Sequence, residues 1–269
     1  MNDFFDELRQ EALQSTENIC VSENTTRILT KLDKYLSEND YCGAEVFLVY
    51  CLTEARQSKN HTVLITVLNE IMGLFRKTNQ KEKALNAAKE ALNAVENNGL
   101  KNTVTDATVS LNAATVYKAF GENEKAVGYY RHAQKIYEST LAENDARLAG
   151  LYNNTGLALT AVGEFREAKE MYNKAVEIMT SLPNGNPEAA ITYLNLADLC
   201  IEENGFENGS LTADEYVNRA MTLLDSEENI YNGNYAFVCE KCASVFEYYG
   251  YFLFAEELQR RSKEIYEGT

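Results

Sequence analysis

The sequence has little proline and glycine, no tryptophan, and far fewer positive than negative charges. Its 269 residues include 2 Pro and 14 Gly, and 25 basic against 41 acidic side chains give a formal net charge of −16. So few turn-forming residues argue against an all-β chain, which needs a turn between each pair of short strands. The acidic balance argues against a nucleic-acid-binding protein, because such binding depends on Lys and Arg contacts to phosphates.

Long hydrophobic runs are also missing. No stretch approaches 18 consecutive apolar residues, so the sequence predicts no membrane span. The first residues lack the basic region and apolar run of a secretory signal, and we therefore expect a cytoplasmic location with six reduced cysteines. Residues 187–269 carry 16 acidic and 5 basic side chains, which makes the C-terminal third the most acidic surface.

A stripe of small residues recurs along the chain. Each copy has an alanine followed four and seven positions later by residues on the same side of a helix. The first alanines of the six copies are Ala44, Ala84, Ala126, Ala168, Ala213 and Ala255. Small residues in this stripe allow two helices to approach closely.

A residue that tolerates a left-handed backbone precedes each stripe, as expected where a helix ends. These residues are Asn39, Asn79, Gly121, Gly163, Asn204 and Gly250. Each copy is therefore predicted to contain a helix A, a tight turn and a helix B, with a longer A–B loop at 203–210 in the fifth copy. We expect one domain over 1–269, with an N-terminal capping helix at 1–20. The predicted repeats cover approximately 24–58, 61–97, 103–140, 145–181, 187–226 and 231–267.

The third and fourth copies resemble the tetratricopeptide repeat family. In the third, Ala113-Ala114 is followed by Tyr117, Gly121, Ala126, Tyr130 and Ala133; in the fourth, Gly156 is followed by Leu159, Gly163, Ala168, Tyr172 and Ala175. The spacing near 42 residues is similar to the longer-helix branch of kinesin light chains and bacterial peptide-sensing regulators. The resemblance implies an all-α, right-handed superhelical array of antiparallel helix pairs with about 13 helices, whose A helices line a concave groove.

Three asparagines, Asn112, Asn154 and Asn195, occupy the same position in successive predicted A helices. Asparagine is a mediocre helix-interior residue, so three in register require a cause. One hypothesis is that their amides bind the main chain of an extended peptide, as the resemblance implies. The alternative is that each bonds a neighbouring helix. The other residues predicted to line this groove are Asn153, Lys118, Leu157, Asp198 and Glu202.

Catalytic and metal-binding motifs are weak. The Cys239-x2-Cys242 pair could form a redox or zinc motif, but its two thiols occupy core positions of the repeat and no second ligand pair follows. His61 and His132 have no triad or metal-motif residues beside them in sequence. We therefore expect a protein that is not an enzyme and holds no cofactor or metal.

The sequence thus predicts a non-enzymatic scaffold that binds a protein or peptide, apolar or basic in character, without nucleic-acid or membrane partners. A peptide-responsive regulatory module, or an adaptor that changes its superhelix or dimer state, is the alternative. Aromatic residues crowd into the last repeat, and we expect that repeat to be the route by which the chain would form a homo-oligomer.

Overall fold

A computed structural model describes residues 25–268 of the protein, and every regular element in that range is an α-helix. Helices are numbered in chain order. They are α1 (Thr25–Ser37), α2 (Tyr41–Ser58), α3 (His61–Lys77), α4 (Lys81–Asn97), α5 (Val104–Ala119), α6 (Asn123–Thr140), α7 (Ala146–Ala161), α8 (Phe165–Ser181), α9 (Asn186–Leu224), α10 (Gly233–Tyr248) and α11 (Phe252–Glu267). None of these helices is both long and apolar enough to cross a membrane.

The all-helical fold class is confirmed, with eleven helices in the described range where about 13 were predicted. Two features account for the difference. The predicted capping helix at 1–20 lies outside the described residues. The two helices of the fifth repeat follow each other without a loop and form the 39-residue element α9. Within α9, the backbone angles leave the helical range at Gly205, with φ 73° and ψ 165°.

The turns follow the sequence pattern closely. Backbone φ is positive at Asn39, Asn79, Gly121, Gly163 and Gly250, five of the six positions predicted to end helix A. In the fifth repeat the positive φ falls on Gly205, one residue after the predicted Asn204. The longer loop predicted at 203–210 is wrong, because the chain is helical on both sides of Gly205. Glycine adopts this conformation without the Cβ penalty that asparagine would incur.

Short polar side chains start many of the helices. Asp40, Asn60, Thr103, Asp145 and Asn232 each precede a helix, and each accepts a hydrogen bond from a backbone N–H in its first turn. Such caps satisfy amide groups that have no partner within the helix. These caps fix the residue at which each helix begins, and therefore which of its side chains face the core.

The chain divides into two compact units, one ending at Ile136 and the other beginning at Tyr137. All six first alanines of the small-residue stripe are fully buried, as the spacing predicts. In the first unit the core includes Leu48, Leu68, Ile71 and Met72. In the second unit one core cluster joins α9, α10 and α11 around residues such as Val217 and Phe246.

Candidate functional site

An amide pair connects two A helices in the second unit. The Nδ2 atom of Asn195, in the first half of α9, donates to Oδ1 of Asn153 in α7 over 2.9 Å. The hydroxyl of Thr192 donates to the same oxygen over 3.1 Å. Both asparagines are partly exposed. The Oδ1 atom of Asn195 has no hydrogen-bond partner within residues 25–268, so it can still accept an N–H from outside.

The first unit contains a similar pair. The Nδ2 atom of Asn112, in α5, donates to Oδ1 of Asn69 in α3 over 2.9 Å. Asn112 is also partly exposed, and its own Oδ1 accepts nothing within the described part of the chain. Sequence reasoning missed Asn69. Its position 43 residues before Asn112, close to one repeat length, was the available signal.

Asn154, the third asparagine of the predicted series, bonds within its own helix. Its Nδ2 atom donates to the carbonyl oxygen of Gly150, one turn earlier in its own helix, over 3.0 Å. Asn195 is therefore paired with Asn153 and not with Asn154. The structure brings Asn153 and Asn195 together, and Asn153 directly precedes the residue that occupies the same repeat position as Asn195.

Acidic groups lie further along the same part of α9. Asp198 is half-buried, and its Oδ1 atom accepts a hydrogen bond from the Tyr249 hydroxyl over 2.8 Å. Burial raises the pKa of Asp198, although the Tyr249 hydrogen bond opposes that rise. Burial also raises the pKa of Tyr172 in α8, with further increases from Asp198 and from the exposed Glu202. These carboxylates make this end of the face electronegative.

The remaining predicted groove residues, Leu157 in α7 and Lys118 in α5, are both partly exposed. Leu157 belongs to the second unit, with Asn153 and Asn195. Lys118 belongs to the first unit, with Asn112. Each unit therefore presents partly exposed amide groups on its A helices. Leu157 lies one turn after Asn153, whereas Lys118 lies on a different side of α5 from Asn112.

Four cysteines belong to the core. Cys239 and Cys242 are buried, as predicted, Cys51 and Cys200 are buried as well, and none of the four forms a disulfide within the described residues. Burial raises the pKa of Cys51 and of Cys242 to about 12 each, so neither thiol forms the reactive thiolate near neutral pH. No group of three or more His, Cys, Asp or Glu side chains that could hold a metal occurs in the described range.

A serine, an aspartate and a histidine do meet in the first unit. The buried Asp106 accepts hydrogen bonds from Ser110 Oγ at 3.2 Å and from the backbone N–H of Asn102 at 2.8 Å, and His132 Nε2 lies 3.0 Å from its carboxylate. The carboxylate lies between the hydroxyl and the imidazole. A nucleophilic triad instead needs the imidazole to contact the hydroxyl directly. This cluster therefore positions the start of α5.

The folding pattern is that of an array of tetratricopeptide-like helix pairs. The tetratricopeptide repeat profile matches residues 105–181 and 147–208, which confirms the resemblance seen in the sequence. No curated protein sequence matches the chain.

Solved structures share the fold at low identity. BtubC (BKLC) from P. vanneervenii is similar over 81% of this chain and 86% of that one, with a TM-score of 0.65 and 24% identity. NprR in complex with its cognate peptide NprX is similar over 97% and 72%, with a TM-score of 0.59 and 16% identity. A Rap protein complexed with Competence and Sporulation Factor is similar over 99% and 80%, with a TM-score of 0.54 and 13% identity.

Proposed function

We propose that the chain is a non-enzymatic scaffold that binds an extended peptide segment of a partner protein on the A-helix face of each unit. The observation that carries this proposal is the pairing of Asn195 with Asn153. The pair fixes the Asn195 side chain while its Oδ1 atom stays available to accept a peptide N–H. A preorganised acceptor binds at low cost in conformational entropy.

In the second unit, the face combines amides, one apolar side chain and carboxylates. Asn153 and Asn195 supply main-chain recognition, Leu157 supplies an apolar contact, and Asp198 with Glu202 favours a positively charged ligand. In the first unit, the pair of Asn112 and Asn69 offers a second amide acceptor of this kind. A ligand-binding role and a structural role are compatible for Asn195 and Asn112, because Nδ2 of each bonds a neighbouring A helix while Oδ1 keeps its capacity to accept.

The two peptide- or factor-bound relatives support the same proposal. NprR holds its cognate peptide and Rap holds the Competence and Sporulation Factor, and both share this fold over nearly the whole chain. The second candidate is a peptide-responsive regulator that changes conformation or dimer state on binding, and a bound peptide is equally compatible with it. Small-angle scattering and sedimentation with and without peptide separate the two candidates, because a scaffold keeps its dimensions and a regulator does not.

The test begins with selection of peptides from a displayed random library against the full chain. Affinities of the selected peptides are then measured by fluorescence anisotropy for the wild type, Asn112→Ala and Asn195→Ala. A lost neutral hydrogen bond is worth roughly 1 kcal/mol, so each variant should bind its peptide about five times more weakly. Circular dichroism confirms that the variants remain helical.

Asn218→Ala is the matched control. Asn218 is exposed on the second half of α9, where its amide bonds the carbonyl oxygen of Asp214 one turn earlier. This substitution should leave the affinity unchanged. If Asn112→Ala and Asn195→Ala also bind with wild-type affinity, the A-helix faces are not the binding sites.

A further inference from the structure

Two leucines stand at the same position of consecutive B helices and are almost fully exposed. Leu211 in α9 and Leu253 in α11 each lie two residues before the fully buried alanine that starts the small-residue stripe, Ala213 and Ala255 respectively. Their exposed fractions are 77% and 83%. The buried alanines fix the helix phase, so both leucines are on the side of the helix that faces away from the core.

The fold does not need an apolar side chain at this position. The residues that precede the corresponding alanines by two in the second, third and fourth repeats are Glu82, Glu124 and Arg166, and all three are exposed. Charged residues thus satisfy the same position in three repeats, and leucine replaces them only in the fifth and sixth. A structural requirement of the B helix does not explain the change.

Exposed aromatic rings accompany the leucines at the A–B turns. Phe206 directly follows Gly205, Phe252 begins α11 after Gly250, and Tyr248 ends α10. The Tyr249 hydroxyl bonds Asp198, so the end of α10 lies against the first half of α9 near its turn. We call these five side chains the turn-edge patch: Phe206, Leu211, Tyr248, Phe252 and Leu253. Two of them stand near the Gly205 turn and three at the turn between α10 and α11, and exposed apolar groups of this kind mark interaction surfaces.

The charge around the α9 part of the patch is mainly negative. Residues 203–219 include four acidic side chains and one basic one, whereas on α11 Arg260 and Arg261 pair with Glu257. A second copy of this chain would bring these carboxylates together, and an anionic membrane surface would be repelled. These surroundings favour an occupant that carries positive charge.

We propose that the turn-edge patch docks a basic amphipathic segment of a partner protein, with its apolar side on Leu211 and Leu253 and its Lys and Arg side chains on the surrounding carboxylates. Such a segment matches the patch in both hydrophobicity and charge. This surface lies on the B helices and turns, and it is separate from the A-helix amides of the proposed peptide face.

The test uses the full chain and a designed helical peptide with Leu and Phe on one side and Lys and Arg on the other. A scrambled peptide of identical composition controls for charge alone. Anisotropy should show tighter binding of the amphipathic peptide, and the Leu211→Gln/Leu253→Gln double variant should lose that binding by roughly tenfold or more. Glu82→Gln/Glu124→Gln, at the same positions of earlier repeats, should change nothing.

Three results would overturn the proposal. The first is equal binding of the amphipathic and scrambled peptides, or unchanged binding by the leucine variant. The second is tighter binding to anionic vesicles than to the peptide. The third is a wild-type dimer in sedimentation that the leucine variant lacks. A peptide selected for the A-helix face should neither compete with the amphipathic peptide nor respond to the leucine variant, so failure of one site is distinguishable from failure of the other.

Discussion

Asn195 donates a hydrogen bond to Asn153 across two successive A helices, from Nδ2 to Oδ1 over 2.9 Å. The contact uses the Nδ2 group of Asn195 and the Oδ1 atom of Asn153. It leaves Oδ1 of Asn195 without a partner among residues 25–268. A single residue type can therefore hold neighbouring repeats together and still offer an acceptor to a ligand. The contact between the helices gives asparagine a structural role at a position where its helix propensity is unfavourable.

Gly156→Ala should destabilise the second unit. A Cβ atom at Gly156, in α7, would lie 2.6 Å from Cε1 and 2.7 Å from Cδ1 of the Tyr172 ring in α8. Tyr172 is almost completely buried, so its ring can move only by displacing core neighbours. Overpacking of this kind costs about 1–3 kcal/mol, which exceeds the gain of about 1 kcal/mol from replacing a helical glycine by alanine.

Gly150→Ala is the control in the same helix, because a Cβ there meets nothing within 4 Å. It should leave stability unchanged or raise it by up to about 1 kcal/mol. Urea unfolding followed by circular dichroism measures both variants. Equal stabilities for Gly156→Ala and Gly150→Ala would contradict the close approach of α7 to Tyr172.

Gly205→Ala should destabilise the protein at the break in α9. Its φ of 73° with ψ of 165° is a backbone conformation essentially restricted to glycine. Alanine there should cost about 1–3 kcal/mol in the free energy of unfolding. The nearby exposed Asn208→Ala, at a helical position, is the control and should be close to neutral. A Gly205→Ala variant that is as stable as the wild type would mean that α9 continues unbroken through this residue.

Acid should remove part of the stability of the last repeat through Glu257. Hydrogen bonds from Arg260 and Arg261 lower the pKa of Glu257 to about 2. Because the folded-state pKa is below that of the unfolded chain, the ionised carboxylate stabilises the fold above the unfolded-state pKa near 4, and this contribution disappears as the pH falls towards 2.

Glu257→Gln removes that contribution at neutral pH and should flatten the dependence of stability on pH between about 5 and 2. Denaturant unfolding at several pH values measures the slope. Glu256→Gln, an exposed neighbour, should keep the wild-type slope. Parallel curves for the wild type and Glu257→Gln would rule out the contacts with the two arginines as the source of the low pKa.

The turns and the buried stripe could be predicted from sequence because they depend on local backbone chemistry. Asn39, Asn79 and Gly121 each end a helix through their own tolerance of positive φ. The fifth repeat differed because Asn204 and Gly205 are adjacent and both tolerate that conformation. Spacing cannot choose between neighbours, and glycine has the lower conformational cost.

The side-chain partners could not be predicted in the same way. Asn153 and Asn154 are adjacent, but their side chains lie about 100° apart around α7, so a one-residue change in alignment exchanges which of them meets Asn195. The aromatic residues show a similar limit. Phe254 packs edge-on against Phe246 with ring centroids 4.8 Å apart, whereas Phe252, two residues earlier, is mostly exposed. Residues two apart lie about 200° apart around a helix, so only one of the two rings can face the core, and the spacing alone does not say which one.

The most direct test of the proposed peptide face observes the asparagine side chains themselves. Nuclear magnetic resonance resolves the side-chain NH2 signals of a 15N-labelled chain, and single Asn substitutions assign them. Saturation with a peptide selected on the full chain should shift the signals of Asn153 and Asn195 and leave that of Asn218 in place. Unshifted signals from Asn153 and Asn195, and equally from Asn69 and Asn112, in a fully bound sample would contradict peptide binding on the A-helix faces.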